Sequence, residues 1–155
     1  MTYSTQINFY QPLDLPELVD CWNDAFGETW RTNARQMQIM AEAEGPCQAR
    51  DHFIARVNGR IAGFLITQMQ HRSDFSPHPS ASIAAMGVAK WAQRGGIGRD
   101  LLNSAVEYFR GMGVKEILLG GRTPRFFAGI PTNLPGALDF FRVQGWQPGR
   151  IECDF

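Results

Sequence analysis

The sequence predicts an α/β domain whose mixed sheet carries helices on both faces, and three observations lead there. Asn58-Gly59 separates two strand-like runs, and a glycine cluster at Gly95, Gly96 and Gly98 joins a third such run to a helical stripe. Strand and helix patterns then alternate to the end of the chain. With 155 residues and 44% hydrophobic content the chain has the size of a single domain, 1–155. At that length a chain buries roughly 70% of the surface its unfolded form exposes, so a core forms without metal or disulfide staples. Gly45-Pro46, Ser76-Pro77-His78-Pro79 and the stretch from Gly129 to Gly136 read as loops inside that domain, and no repeat is visible.

Taken in order, Ile7 to Tyr10 alternates as a short strand. Pro12, Asp14 and Pro16 open a helix with Leu18, Val19, Trp22, Ala25 and Phe26 on one side, and Gly27 stops it. A second helix is expected from about Thr32 to Glu44. His52 to Val57 and Arg60 to Gln70 form a hairpin, because Asn-Gly supplies the two positive-φ residues of its tight turn. Ser82 to Ala89 is the next strand. Leu101, Leu102, Ala105, Val106 and Phe109 then make a helical stripe that ends near Gly111 or Gly113. Ile117 to Leu119 is a buried strand. Gly136 to Gln144 is a helix with Ala137, Phe140 and Phe141 on one face and Gly145 as its stop, and Ile151 to Phe155 is a last weak strand.

Fifteen basic residues balance 15 acidic ones, so no long-range field draws nucleic acid or an anionic membrane, and any anion site must be local. Cys21, Cys47 and Cys153 are odd in number and lack metal-ligand spacing. They read as free thiols in a reducing compartment, with no metal. No leader pattern and no run of about 20 apolar residues is present, so a cytoplasmic protein off the membrane is expected.

The chemistry concentrates in Val88 to Arg99, reading V-A-K-W-A-Q-R-G-G-I-G-R. A glycine turn between strand and helix aims unpaired N–H groups outward at the positive end of the helix dipole, a ready phosphate or pyrophosphate site. Two nucleotide motifs do not fit. Leu101 stands where a dinucleotide fingerprint has its third Gly or Ala, and no Gly-Lys-Ser/Thr exists for a P-loop.

Gln93-Arg94-Gly95-Gly96-Ile97-Gly98 resembles the Gln/Arg-x-x-Gly-x-Gly/Ala motif of the Gcn5-related N-acetyltransferase (GNAT) family. Met86-Gly87-Val88 matches the strand that precedes it, apart from a missing proline at Lys90. Ala137 to Trp146 is similar to the family's Ala-x-x-Phe-Tyr-x-x-x-Gly-Phe block. The resemblance implies a mostly antiparallel central sheet of the acyl-coenzyme A N-acyltransferase type. It implies transfer of an acetyl group from acetyl-coenzyme A to a small-molecule or peptide amine in a ternary complex, with coenzyme A as product. Backbone amides from Gln93 through Gly95, Gly96, Ile97 and Gly98 to Arg99 would hold the pyrophosphate, and Arg94 and Arg99 would reach its oxygens. Main-chain groups of Met86 and Val88 would pair with the pantetheine arm where their strand splays from Ile117 to Leu119.

Two departures from the family pattern matter. Phe141 occupies the position where many members have a tyrosine to protonate the leaving thiolate, and Leu134 falls where they have an asparagine, with Asn133 one residue out of register. No carboxylate lies on the motif strand, so no catalytic residue is assigned. Asp24 and Glu28 near the junction of the first two helices, and His71, Asp74 and His78 before the motif strand, are candidates for the acceptor side and for a base. His52, inside a strand, is a weaker one. The missing tyrosine keeps open an alternative, a catalytically weak or inactive acyl-coenzyme A binding or sensor module, and a domain sharing only the anion-binding turn is a third reading. A sheet edge exposed after the last strand leads to the expectation of a homodimer.

Overall fold

Asn58 and Gly59 lie at φ of 51° and 80°, the left-handed pair that a two-residue hairpin turn requires. They reverse the chain between β2 (Phe53–Val57) and β3 (Arg60–Gln70). The computed structural model describes residues 4–42, 51–70, 78–120, 127, 129–147 and 149. Around the hairpin stand β1 (Gln6–Phe9), α1 (Leu15–Phe26), α2 (Ala34–Glu42), β4 (Ser80–Val88), α3 (Ile97–Gly111), β5 (Ile117–Leu119) and α4 (Pro135–Val143). The sheet runs β1-β2-β3-β4-β5. Every pair is antiparallel except β4 with β5, which is parallel and follows the α3 crossover. The strand expected at Ile151 to Phe155 lies outside the described residues.

Two cores result, one on each face of the sheet. On one face Leu101, Leu102, Ala105 and Phe109 of α3 and Phe141 of α4 bury against Phe53, Ala55, Leu65 and Ile83. On the other Leu18, Cys21 and Trp22 of α1 and Met37 and Ala41 of α2 bury against Ile54, Phe64, Ile66 and Ala85. Among the described residues the expected elements are present with shifted ends, but β5 is not the buried strand expected, since Leu118 is exposed and its neighbours only half-buried. The second helix begins at Ala34 and not at Thr32, because the Asn33 side chain accepts from Gln36 N (3.0 Å) and caps it there. Pro135, rather than Gly136, opens α4 at a position that needs no N–H donor.

Polar contacts fix how the hairpin sits on α1. Arg56 reaches Asp14 (2.6 Å) and Glu17 (3.1 Å), and Glu17 also accepts from Ile61 N (2.8 Å). Among the described residues no helix is long and apolar enough to cross a membrane, and no trio of His, Cys, Asp or Glu is placed to hold a metal.

His52 is a structural residue, 1% exposed. Its Nδ1 accepts from Thr67 N (3.1 Å), which leaves Nε2–H to donate to Ala41 O (2.8 Å), so the ring ties β3 to the end of α2. Burial, opposed by that last bond, pushes its pKa down to about 4. The unfolded chain therefore binds a proton that the folded chain refuses. The resulting stability is complete above pH 6.5 and is lost as pH falls toward 4, by about 3 kcal/mol over the whole interval. Urea unfolding at pH 7, 6 and 5 is expected to show this fall, and His52→Gln, weaker at pH 7, a flatter dependence on pH.

Candidate functional site

The site begins with a strand that loses one neighbour. β4 pairs with β5 from Ala81 to Ile83, and Gly120 N closes the ladder on Ile83 O (2.9 Å). Immediately afterwards the β3–β4 register shifts, with Ala84 as the extra residue between Ile83 and Ala85. Such a bulge bends and twists its strand, and from there to Val88 β4 stays paired with β3 alone among the described strands. Ala89 N donates to Ala62 O (2.8 Å). Ladder alternation then turns the main-chain groups of Gly87 toward β3 and those of Met86 and Val88 toward the open side. Gly87 is obligatory here, since a Cβ would stand 2.7 Å from the Phe64 ring.

The chain leaves this edge through a 3-10 turn at Lys90–Ala92 and enters the glycine turn. Gln93 Nε2 donates to Val88 O (3.0 Å), so the motif glutamine braces the turn against the strand edge it serves. Arg94 and Gly96 both take left-handed φ, 66° and 85°, a folding-back that converges successive N–H groups on one point. Asp100 N bonds to Gly96 O (3.0 Å) and starts α3, leaving the N–H groups of Ile97, Gly98 and Arg99 without intrahelical acceptors. The Arg99 guanidinium folds over the turn, 3.2 Å from where a Gly96 Cβ would stand. Edge and turn together offer what an extended, amide-bearing arm ending in a pyrophosphate requires.

The candidates for the acceptor side separate. Asp24 Oδ2 accepts from Lys90 N (2.6 Å), making it the anchor between the last turn of α1 and the glycine-turn segment. Its neighbour Asn23 holds the other side of α1: Nδ2 donates to Thr32 O (3.1 Å) and Oδ1 accepts from Thr32 N (2.9 Å). Glu28 is exposed and paired with Arg31 (2.9 Å). His78 is exposed just ahead of β4, while His71 and Asp74 lie outside the described residues. Burial pushes the Cys21 thiol up to about 12, so this residue carries no thiolate near neutrality and cannot be an acyl-accepting nucleophile.

On α4 the two phenylalanines divide. Phe141, 7% exposed, packs edge-on to Trp146 in the α3-side core. Phe140 and Met86 both lie against Gly98, beside the glycine turn. Neither ring carries a proton to donate. Leu134 caps α4 with no side-chain bond, and Asn133 sits exposed in the preceding turn.

Phe127 is buried at 8% exposure and stacks parallel to Trp22 (centroids 5.8 Å, 8°), so it completes the core of the α1 face. Its other contacts are Phe26 and Trp30. Between α1, the 3-10 turn Glu28–Trp30 and α2 opens a cleft of about 360 Å³, lined by Trp22, Trp30, Phe127 and the polar side chains of Thr29, Arg31, Thr32 and Gln36. Sequence reading pointed to this junction of the first two helices through Asp24 and Glu28, but neither residue lines the cleft, whose walls are aromatic.

The Asp24 assignment is testable on stability alone. Asp24→Ala is expected to lower the melting temperature by the equivalent of about 1 kcal/mol, while Asp24→Asn, which retains an acceptor oxygen, should melt near the parent in a differential scanning experiment.

The sequence pattern of the acetyltransferase (GNAT) family matches residues 15–129. No curated protein shows significant similarity to the chain. Among solved structures, a GCN5-related glucosamine N-acetyltransferase region of a fungal multi-domain GH3 β-N-acetylglucosaminidase superposes with TM-score 0.81 at 27% identity. That match covers 95% of this chain, which spans 17% of the multi-domain protein. The Escherichia coli ribosomal-protein-S18-alanine N-acetyltransferase gives TM-score 0.70 at 20% identity over 94% of this chain and 79% of its own. An aminoglycoside N-acetyltransferase in complex with coenzyme A gives TM-score 0.68 at 11% identity over 100% and 95%. With the splayed strand, the glycine turn and the mixed sheet all in register with this family match, the chain belongs to the GNAT acetyltransferase family.

Proposed function

We propose that the protein transfers an acetyl group from acetyl-coenzyme A to a primary amine, with both substrates held together and no acyl-enzyme. The observation that carries this reading is the main-chain edge of β4, open at Met86 and at the Val88 N–H, running directly into the turn from Gln93 to Arg99. The residues present fit the coenzyme. The edge can pair with an amide-bearing arm, the N–H groups of Ile97, Gly98 and Arg99 can receive a pyrophosphate, and Gly96 keeps the approach clear of a Cβ. When bound, acetyl-coenzyme A supplies a thioester carbonyl open to attack.

What this chain contributes is orientation and a placed dipole. The N–H of Val88 faces the open side and is the donor placed to receive a developing oxyanion, a contribution worth about 3–4 kcal/mol when such a donor is lost. Among the described residues the one cysteine, Cys21, is buried and is no nucleophile for a two-step route. An alkyl amine is neutral in roughly one part in two thousand at pH 7, so it must give up a proton before attack. Among the described candidates Asp24 is engaged with Lys90 N and acts as an anchor, while Glu28, paired with Arg31, and His78 are exposed, so a base reached through water completes this reading. A thiol of pKa about 8.5 needs less help from an acid in leaving than an alkoxide or an amine would.

The family relatives act on the amines of a sugar, of an aminoglycoside and of a ribosomal protein. What they share is the amine, and that supports the reaction class. The hydroxyl-free Phe140 and Phe141 favour a second reading, binding of acyl-coenzyme A without turnover. Titration calorimetry separates the two. Acetyl-coenzyme A should bind at micromolar concentration, ATP should not replace it, and Gly96→Glu, which puts a negative charge at the turn, should abolish the heat. Failure to bind at millimolar ligand in folded protein overturns both readings, whereas binding with no thiol release across an amine panel leaves the second.

A further inference from the structure

We infer that Asp24, which lies outside the glycine-turn motif, is a positioning residue for the coenzyme. By holding Lys90 N it fixes the first half of the turn, from Gln93 to Gly96, and so sets the affinity for acetyl-coenzyme A. The inference rests on the acetyl-transfer reading for the identity of the ligand and on the geometry of the turn for the role of the residue.

The bond fills a place that the local sequence leaves empty. Lys90 opens the 3-10 turn Lys90–Ala92, and Ala89 ahead of it makes no side-chain cap. The first N–H of such a turn has no partner within it. Asp24 Oδ2 accepts that N–H from 66 positions away at 2.6 Å, a short charge-assisted bond. The carboxylate stands there against its own helix. It lies on the last turn of α1, where the helix dipole disfavours negative charge and no basic residue offsets it. What it holds, and not the helix that carries it, accounts for an acid at this position.

The two halves of the glycine turn are held differently. Ile97 and Leu101 are buried, and both side chains reach within 3.1 Å of where a Gly63 Cβ would stand, so core packing of α3 fixes the N–H groups of Ile97, Gly98 and Arg99. The half that precedes them rests on less. From 89 to 93 the buried side chains are the methyl groups of Ala89 and Ala92, while Lys90, Trp91 and Gln93 are exposed. The bond that closes the 3-10 turn, Gln93 N to Lys90 O, is long at 3.4 Å, and the Arg60 guanidinium lies over the Trp91 ring at 4.6 Å. Arg94 follows at a φ of 66°, a conformation that a residue with a side chain keeps only where the structure around it enforces it. The packing of α3 does so from one side. From the other, Asp24 fixes the turn that delivers the chain to Gln93 and Arg94.

The same geometry says what can replace the bond. Ala89 has φ −53° and ψ 140°, a conformation open to a residue that precedes proline. Position 90 is the first of its turn, where the fixed φ of a proline fits and its missing N–H leaves no bond of the turn unmade. A proline there would impose by its ring what Asp24 imposes by a hydrogen bond. The two devices exclude each other, because the ring would stand where the N–H now meets the carboxylate. Lysine at 90, where the chain departs from the GNAT pattern, thus goes with the acid at 24.

Calorimetric titration of the full chain with acetyl-coenzyme A tests this, with each variant shown by its melting curve to be folded at the temperature of the titration. Asp24→Ala is expected to raise the Kd about fivefold or more, and Asp24→Asn, which keeps an acceptor oxygen, to stay within about twofold of the parent. Adding Lys90→Pro to Asp24→Ala should bring the Kd back to within about twofold of the parent. A residue that only stabilised α1 would gain no ligand affinity from that second change. Asp24→Ala binding as tightly as the parent, Asp24→Asn binding as weakly as Asp24→Ala, or a double variant as weak as Asp24→Ala each overturn the proposal while the acetyl-transfer reading stands. A folded parent that does not bind acetyl-coenzyme A overturns both.

Discussion

Everything at the site depends on β4 parting from β5 at Ile83. Inside a sheet, each strand's main-chain groups are consumed by its neighbours, and a central strand has none to offer a ligand. The bulge at Ala84 breaks that rule at one point, by bending the strand just after its last parallel pair. One side of the strand stays tied to β3, so the exposed edge is rigid as well as open. A central strand thereby keeps an open main-chain edge without becoming a free one.

The aromatic stack below that edge does two jobs through the same atoms. Phe64 fills the space that a side chain on Gly87 would take, and it supports Trp22, which supports Phe127. The rings give the α1-side core its mass, and their far end becomes the wall of the cleft. Core and cleft wall are thus continuous, so Phe127 finishes the core and lines the cleft at once.

Most of the architecture was legible because its signals are local. Asn58-Gly59 announces the hairpin, and the stripe from Leu101 to Phe109 announces α3 within a few turns of chain. What stayed hidden depends on pairing across distance. Asp24 and Glu28 look alike in sequence, yet one anchors Lys90 N from 66 positions away and the other faces solvent. The small-residue run of β4 reads as a strand with or without a bulge, so the parting of the sheet cannot be read from it. Phe140 and Phe141 differ only in helical phase, and 100° of rotation sends one to the cradle and the other to the core.

Asn23 and Asp24 are adjacent on the last turn of α1, and they grip opposite sides of the site. One holds Thr32 and with it the rim of the cleft; the other holds Lys90 and with it the approach to the glycine turn. A single turn of helix thus ties the rim of the cleft to the approach to the glycine turn through two adjacent side chains.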